Sequence, residues 1–215
     1  MKILEGWKMK KNKVIWQTFL AVLQTLTGVF LAGFIVFHLL GNSVINFGED
    51  WMNYYIGHLD KTVFWVKIGI WIIAIALLAH GLNGLRIVWR YFKKTPEIPK
   101  FLAETKYRGS FLWYAHFSTG LLMVIFAAVH MALAYFGEKE SITTVELIRA
   151  RLQNDYYFIL MNLLLLAVIF HACYGIKTIF VKYGFFARHQ RKIAVILLIA
   201  GIVFAILGIN NLLLY

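Results

Sequence analysis

The chain has 215 residues, 61% of them hydrophobic and 17% aromatic, with a mean hydropathy of +0.71, too apolar for a soluble domain with a largely polar surface. A net charge of +12 would suggest a nucleic-acid partner in a soluble protein, but here the cations flank apolar segments, which membrane topology explains without nucleic acid. The single cysteine, Cys173, lies in an apolar stretch, so disulfides, cysteine-ligated clusters and the C-x-x-C-H motif of covalent haem attachment are excluded.

Five apolar runs reach the roughly 20 residues that a helix needs to cross the hydrocarbon layer, a length that rules out strands. The first, 14–40, follows a basic stretch from Lys8 to Lys13; it exceeds a signal-peptide core and lacks a small-residue cleavage site, so it reads as a retained span. It carries Gln24 and His38. The second, 63–91, carries His80, and the third, 111–135, carries Trp113, His116 and His130. The fourth, 156–181, carries Ile169 and His171, with Lys182 just beyond it, and the fifth, 193–214, has no histidine and reads as packing. Pro96 and Pro99 both fall in the second connection, so no span is broken by proline. The connections are too short for a separate domain and no fixed-period repeat is visible. The expected fold is an all-α integral membrane protein whose five transmembrane helices form one membrane domain over 1–215, bounded by lipid.

Orientation follows from the cations. With helix-end residues assigned to the nearer side, the N-terminus and the second and fourth connections carry 17 of the 22 Lys and Arg residues, against only Glu5, Glu97 and Glu104 as acids. That side is expected to be cytoplasmic. Glu49, Asp50, Asp60, Glu138, Glu140, Glu146 and Asp155 lie on the other side.

Four of the seven histidines stand well inside spans, one on each of the first four. An ionisable or metal-binding side chain at that depth is a functional candidate. Counting from the basic end at 1.5 Å per residue puts His80 and His171 at about 16 to 18 Å and His38 and His130 at about 30 to 36 Å. Axial ligands of one haem must share a depth on facing helices, so the count pairs His80 with His171 and His38 with His130, two levels about 15 Å apart. Small residues one turn away, Ala76 and Gly84, Ala167 and Gly175, Ala134 and Gly41, would leave room for a flat cofactor, as they would for bare helix packing. His116, two turns into its span, reads as interfacial. His58 and His189 lie in connections, His58 on the side where it could serve proton transfer.

The run from Gly28 to His38, the segment from His80 to Arg86, the Val129-His130 pair and the segment from His171 to Gly184 resemble the dihaem cytochrome b subunit of succinate:quinone oxidoreductases and fumarate reductases. The resemblance covers nearly the whole chain and includes the same histidine pairing. It implies two haem b groups, menaquinone reacting near the outer one, and iron-sulfur and flavoprotein subunits docked on the cytoplasmic face. It further implies a multi-pass protein of the bacterial cytoplasmic (inner) membrane with a cytoplasmic N-terminus, and leaves room for a dimer of the complex. By spacing from the ligands, Gln24, Trp113 and Lys182 fall where the family contacts the inner-haem propionates, and Arg149 falls on a family arginine. Members that couple the reaction to transmembrane proton transfer carry a glutamate where this chain has Ile169, and no span interior holds Asp or Glu. For quinone protonation, Asp60 is the first candidate and Glu49 the second, beside their ordinary reading as loop charges.

Two further readings remain open at the level of sequence. One is a dihaem cytochrome of another quinone-linked oxidoreductase, of hydrogenase or nitrate-reductase type, which often puts two ligands on one helix; only His116 and His130 have such a spacing. The other is a histidine-based channel or metal transporter, for which soft sulfur ligands or intramembrane carboxylates would be expected.

Overall fold

A computed structural model of the chain describes residues 2–94, 108–136 and 144–215. Pro96, Pro99, Glu97, Glu104, Glu138 and Glu140 lie outside them. The described residues form α1 (Lys2–Asn42), a short 3₁₀ turn (Ser43–Phe47), α2 (Glu49–Lys61), α3 (Val63–Lys94), α4 (Arg108–Phe136), α5 (Val145–Leu152), α6 (Asp155–Lys182), a second 3₁₀ turn (Ala187–His189) and α7 (Gln190–Leu214). No strand occurs among them.

The five expected spans are the long helices α1, α3, α4, α6 and α7, each long and apolar enough to cross a membrane. Their outward faces carry large apolar side chains: Leu26, Trp65, Ile75 and Ile196 are each more than 60% exposed, a surface that only lipid covers at low cost. The chain is an all-α, multi-pass membrane protein.

Two boundaries differ from the sequence reading. Backbone hydrogen bonding carries α1 from Lys2, well before the apolar run starts at Val14, because polar residues at an interface can continue a helix already nucleated in lipid. The first and third connections are not plain loops. The first holds the amphipathic α2, with Met52 and Ile56 buried, and the third holds α5. The Thr144 side chain caps α5 by accepting from the Leu147 N–H at 3.2 Å, and Asn154 caps α6 by accepting from the Tyr157 N–H at 3.1 Å. Past α6 the chain reverses through Gly184 at φ +69°, a conformation glycine adopts without strain.

α4 packs on α6, α6 on α7 and α1 on α3, and α6 also touches α1, which puts α6 at the centre of the bundle. The close α6–α7 approach depends on Gly201 and Gly208, whose backbones lie against Ile169, Cys173 and Leu165. Ile169 thus faces α7.

The end opposite the basic side is closed by α2 and α5. Ile45, Met52, Ile56, Val145, Leu152, Met161 and Tyr215 form an apolar cluster there. A polar lattice joins the first 3₁₀ turn to α7 beside it: Asn46 donates to Asn211 at 2.7 Å, Asn210 donates to Asn46 at 2.6 Å, and Asn211 donates to Ser43 at 3.0 Å. The fifth span therefore serves packing, as its lack of histidine suggested, and is locked at one end by amides.

Candidate functional site: two histidine pairs between helices

The four intramembrane histidines meet in the combinations that depth counting predicts. The rings of His80 on α3 and His171 on α6 have centroids 6.2 Å apart at 78°, and those of His38 on α1 and His130 on α4 are 6.1 Å apart at 71°. Each pair is edge-to-face, at a separation that direct ring contact also allows. The spacing matches one metal ion held between two imidazole nitrogens at about 2.0 Å each, which puts the ring centroids about 6 Å apart.

Tautomers at the basic-end pair follow from the hydrogen bonds. The Nδ1 of His171 lies 2.9 Å from the His116 carbonyl oxygen, which can only accept, so Nδ1 carries the proton and Nε2 keeps its lone pair. The Nδ1 of His80 lies 3.1 Å from Thr27 Oγ1, whose hydroxyl already donates to the Leu23 carbonyl at 2.7 Å; Thr27 therefore accepts from Nδ1–H. Both rings are left with the lone pair on Nε2, and a hydrogen bond at Nδ1 of this kind orients a histidine for metal binding. Gln24 donates its amide N–H to His80 Nε2 at 3.2 Å, and its own Oε1 is buried without a partner. In the other pair, Nδ1 of His130 is buried without a partner and His38 stacks on Phe34 at 5.3 Å.

Two glycines that the sequence reading did not single out hold the basic-end rings in place. A Cβ on Gly28 would fall 3.0 Å from His80 Cε1, and one on Gly120 only 2.8 Å from His171 Cε1. Gly28 precedes His38 by ten residues and Gly120 precedes His130 by ten, so the two levels are about 15 Å apart along both α1 and α4. The shared spacing, Gly-x9-His in the first and third spans, was the available signal. Sequence alone could not say that these glycines face the neighbouring helix.

The small residues chosen from sequence fare unevenly. Gly84 faces Gln24, Gly175 lies under His116 and Ala167 is buried, whereas Gly41 lies against the Tyr55 hydroxyl, away from any histidine ring. The side chain of Ala134 is outside the description. His116, read as interfacial, has its ring stacked on His171 at 4.0 Å and 17°, and its Nδ1 is buried without a partner. His58, on α2, is exposed with its ring 4.7 Å from Tyr54, and His189 is also exposed.

Of the three expected polar contacts, two converge. Lys182 donates to Thr25 Oγ1 at 3.4 Å and to the Ala21 carbonyl at 3.5 Å, on the same stretch of α1 as Gln24. Next to it, Tyr183 hydrogen-bonds Thr25 at 3.1 Å, and this bond, with the Lys182 ammonium, holds its phenol below the ordinary value. Trp113 sits apart, packed on Tyr91 at 4.9 Å and Phe92 at 6.4 Å of α3. At the opposite end Glu49 pairs with Arg149, whose Nε also donates to the Tyr215 carbonyl, while Asp60 lies half-buried in the last turn of α2. Burial, with Tyr55 nearby, pushes the Tyr215 phenol up to about 12, so its hydroxyl stays neutral at physiological pH.

Among the described residues, no group of three or more His, Cys, Asp or Glu side chains could hold a metal ion. Two imidazoles alone suit a metal whose other positions are filled by a macrocycle, and fit poorly a zinc or copper transport site.

The sequence matches the family described as the succinate dehydrogenase/fumarate reductase transmembrane subunit over residues 13–99 and 93–209. The chain belongs to this family. No curated protein matches it. As a succinate dehydrogenase/fumarate reductase transmembrane subunit it is the membrane part of a multi-subunit oxidoreductase complex. Its histidine pairs lie between α1, α3, α4 and α6, with α7 outside both.

Proposed function

We propose that this subunit is a dihaem cytochrome b that passes electrons between menaquinone and the iron-sulfur and flavoprotein subunits of a fumarate reductase or succinate dehydrogenase, docked on its basic, cytoplasmic face. The observation that carries the reading is the pair of centroid separations, 6.2 and 6.1 Å, at two levels of one bundle. His80 and His171 hold the inner haem; His38 and His130 hold the outer one. Bound haem supplies one-electron chemistry, and levels about 15 Å apart are within electron-hopping reach across the bilayer.

The protein's own contribution is placement. Thr27 and the His116 carbonyl set the Nδ1–H tautomer of the inner ligands and so leave Nε2 for iron. Because a metal bond uses the lone pair to which Gln24 donates, the Gln24 amide is released to serve a propionate. Lys182 stands within reach of the same stretch of α1 and gives a propionate a cationic partner; Trp113, apart from these two and packed on Tyr91 and Phe92 of α3, would offer its indole N–H from α4. Changing Lys182→Ala is expected to shift the midpoint potential of one haem without loss of that haem, read by redox-titrated absorbance. An unchanged potential would put the lysine outside the site.

For quinone protonation the acidic candidates are Asp60 first and Glu49 second, the latter paired with Arg149 between α2 and α5. A carboxylate relay through the bilayer has no support: the spans hold no acid in their interiors, and Ile169 is packed on Gly201 of α7. The function is tested by purifying the tagged subunit with its partners and titrating the spectrum. Two b-type transitions with an iron-sulfur and a flavin subunit are expected. A spectrum with no b-type haem transition would sink the reading and return the transporter alternative.

A further inference from the structure

His116 lies on α4, one turn before Gly120, and contacts the inner pair without belonging to it. Its ring is parallel to that of His171 at 4.0 Å and 17°, while its other side meets Tyr174 at 5.0 Å and, through Cε1, Gly175 at a distance of 3.5 Å from where a Cβ would stand. His171, Tyr174 and Gly175 are spaced three and four residues apart on α6, so they form one face with a notch that the His116 ring fills. The same residue's carbonyl accepts from His171 Nδ1 at 2.9 Å and from the Thr119 hydroxyl at 3.0 Å. The Gly120 backbone, one turn further along α4, lies close to the Cε1 and Nδ1 atoms of the same ring. The His171 ring therefore has a hydrogen bond choosing which nitrogen faces inward, a flat ring stacked on its plane and a backbone close against its edge.

We propose that His116 is a positioning residue for the inner site, whose flat ring sets the plane of the His171 imidazole nearly perpendicular to that of His80. The inference rests on the dihaem reading above. The carbonyl belongs to the backbone and survives any substitution, so the side chain's share is the plane, observed at 78° to His80. In a low-spin ferric haem the angle between two axial imidazole planes determines how far the iron d orbitals split: perpendicular planes give a strongly anisotropic electron paramagnetic resonance signal at low field, and parallel planes move that feature to higher field. The ligand plane is thus readable directly, independently of turnover.

The test uses the purified complex with oxidised haems, and the inner-haem feature is identified as the one missing in His171→Ala. His116→Leu fills similar volume without a flat ring and is expected to broaden or shift that feature to higher field; His116→Phe keeps a flat ring and is expected to retain it. The feature of the other haem should stay in place in both. If His116→Leu leaves the inner feature where it is, or if His116→Phe moves it as far as His116→Leu does, the proposal is overturned while the dihaem reading stands. A wild-type complex with no low-spin haem signal would instead remove the reading on which the proposal rests.

Discussion

His171→Ala is expected to abolish one of two b-type haem signals and leave the other, so that about half of the reduced-minus-oxidised absorbance remains. The same half should disappear in His80→Ala, because the two rings face each other across 6.2 Å. The remaining half should disappear in His38→Ala and in His130→Ala, whose rings are 6.1 Å apart. Loss of the same haem in His38→Ala and His80→Ala would refute the pairing, whatever the total haem content. A haem held between two imidazoles would give this all-or-none behaviour, since either substitution would take away one of the two residues that hold it.

The second large effect is expected from a single methyl group. Gly120→Ala would place a carbon 2.8 Å from His171 Cε1, closer than carbons approach in folded proteins. The ring cannot retreat easily, because His116 is stacked on it at 4.0 Å and the His116 carbonyl holds Nδ1 at 2.9 Å. Overpacking of this kind costs about 1–3 kcal/mol, and here the strain falls on a proposed ligand. The expected result is a complex that assembles with its outer haem intact and its inner haem lost or strongly shifted. Gly28→Ala should act in the same direction more weakly, as its added carbon would be 3.0 Å from His80 Cε1. Gly33→Ala is the control, with nothing within 4 Å of the added carbon. Equal haem content in Gly120→Ala and Gly33→Ala would show that the close contact does not constrain the ligand.

Much of this architecture was legible because a bilayer simplifies folding. A span must satisfy its own backbone, so an apolar run of sufficient length is a helix, and apart from the N-terminal extension of α1 its ends are known to within about a turn. Depth then follows from residue count, which is why the pairing of His80 with His171 and of His38 with His130 emerged from arithmetic and recurs in the structure. The membrane-embedded histidines stood out for the same reason, since a polar ring in hydrocarbon is costly.

What counting along a helix does not give is the direction a residue faces and what lies across from it. His116 has the depth of an interfacial residue, yet it is stacked on His171, because α4 and α6 approach closely where Gly120 and Gly175 lack side chains. Glu49 reads as a free loop carboxylate until the fold brings Arg149 to it from a helix 100 residues away. Gly41 shares its helical face with His38 but is covered by Tyr55 of α2, an element hidden within what reads as a connection.

The amino-acid sequence by itself determined that the chain spans a membrane five times, that four histidines lie at two depths, and which of them are level with each other; hydrophobic length and the fixed rise of a helix are sufficient for that. Only the tertiary structure decided which nitrogen of each inner ring is left available, which glycines confine those rings, and that a fifth intramembrane histidine touches the site. Those depend on contacts between helices, and interhelical contact is set by side-chain packing around the helix axis, a coordinate that length and hydropathy do not contain.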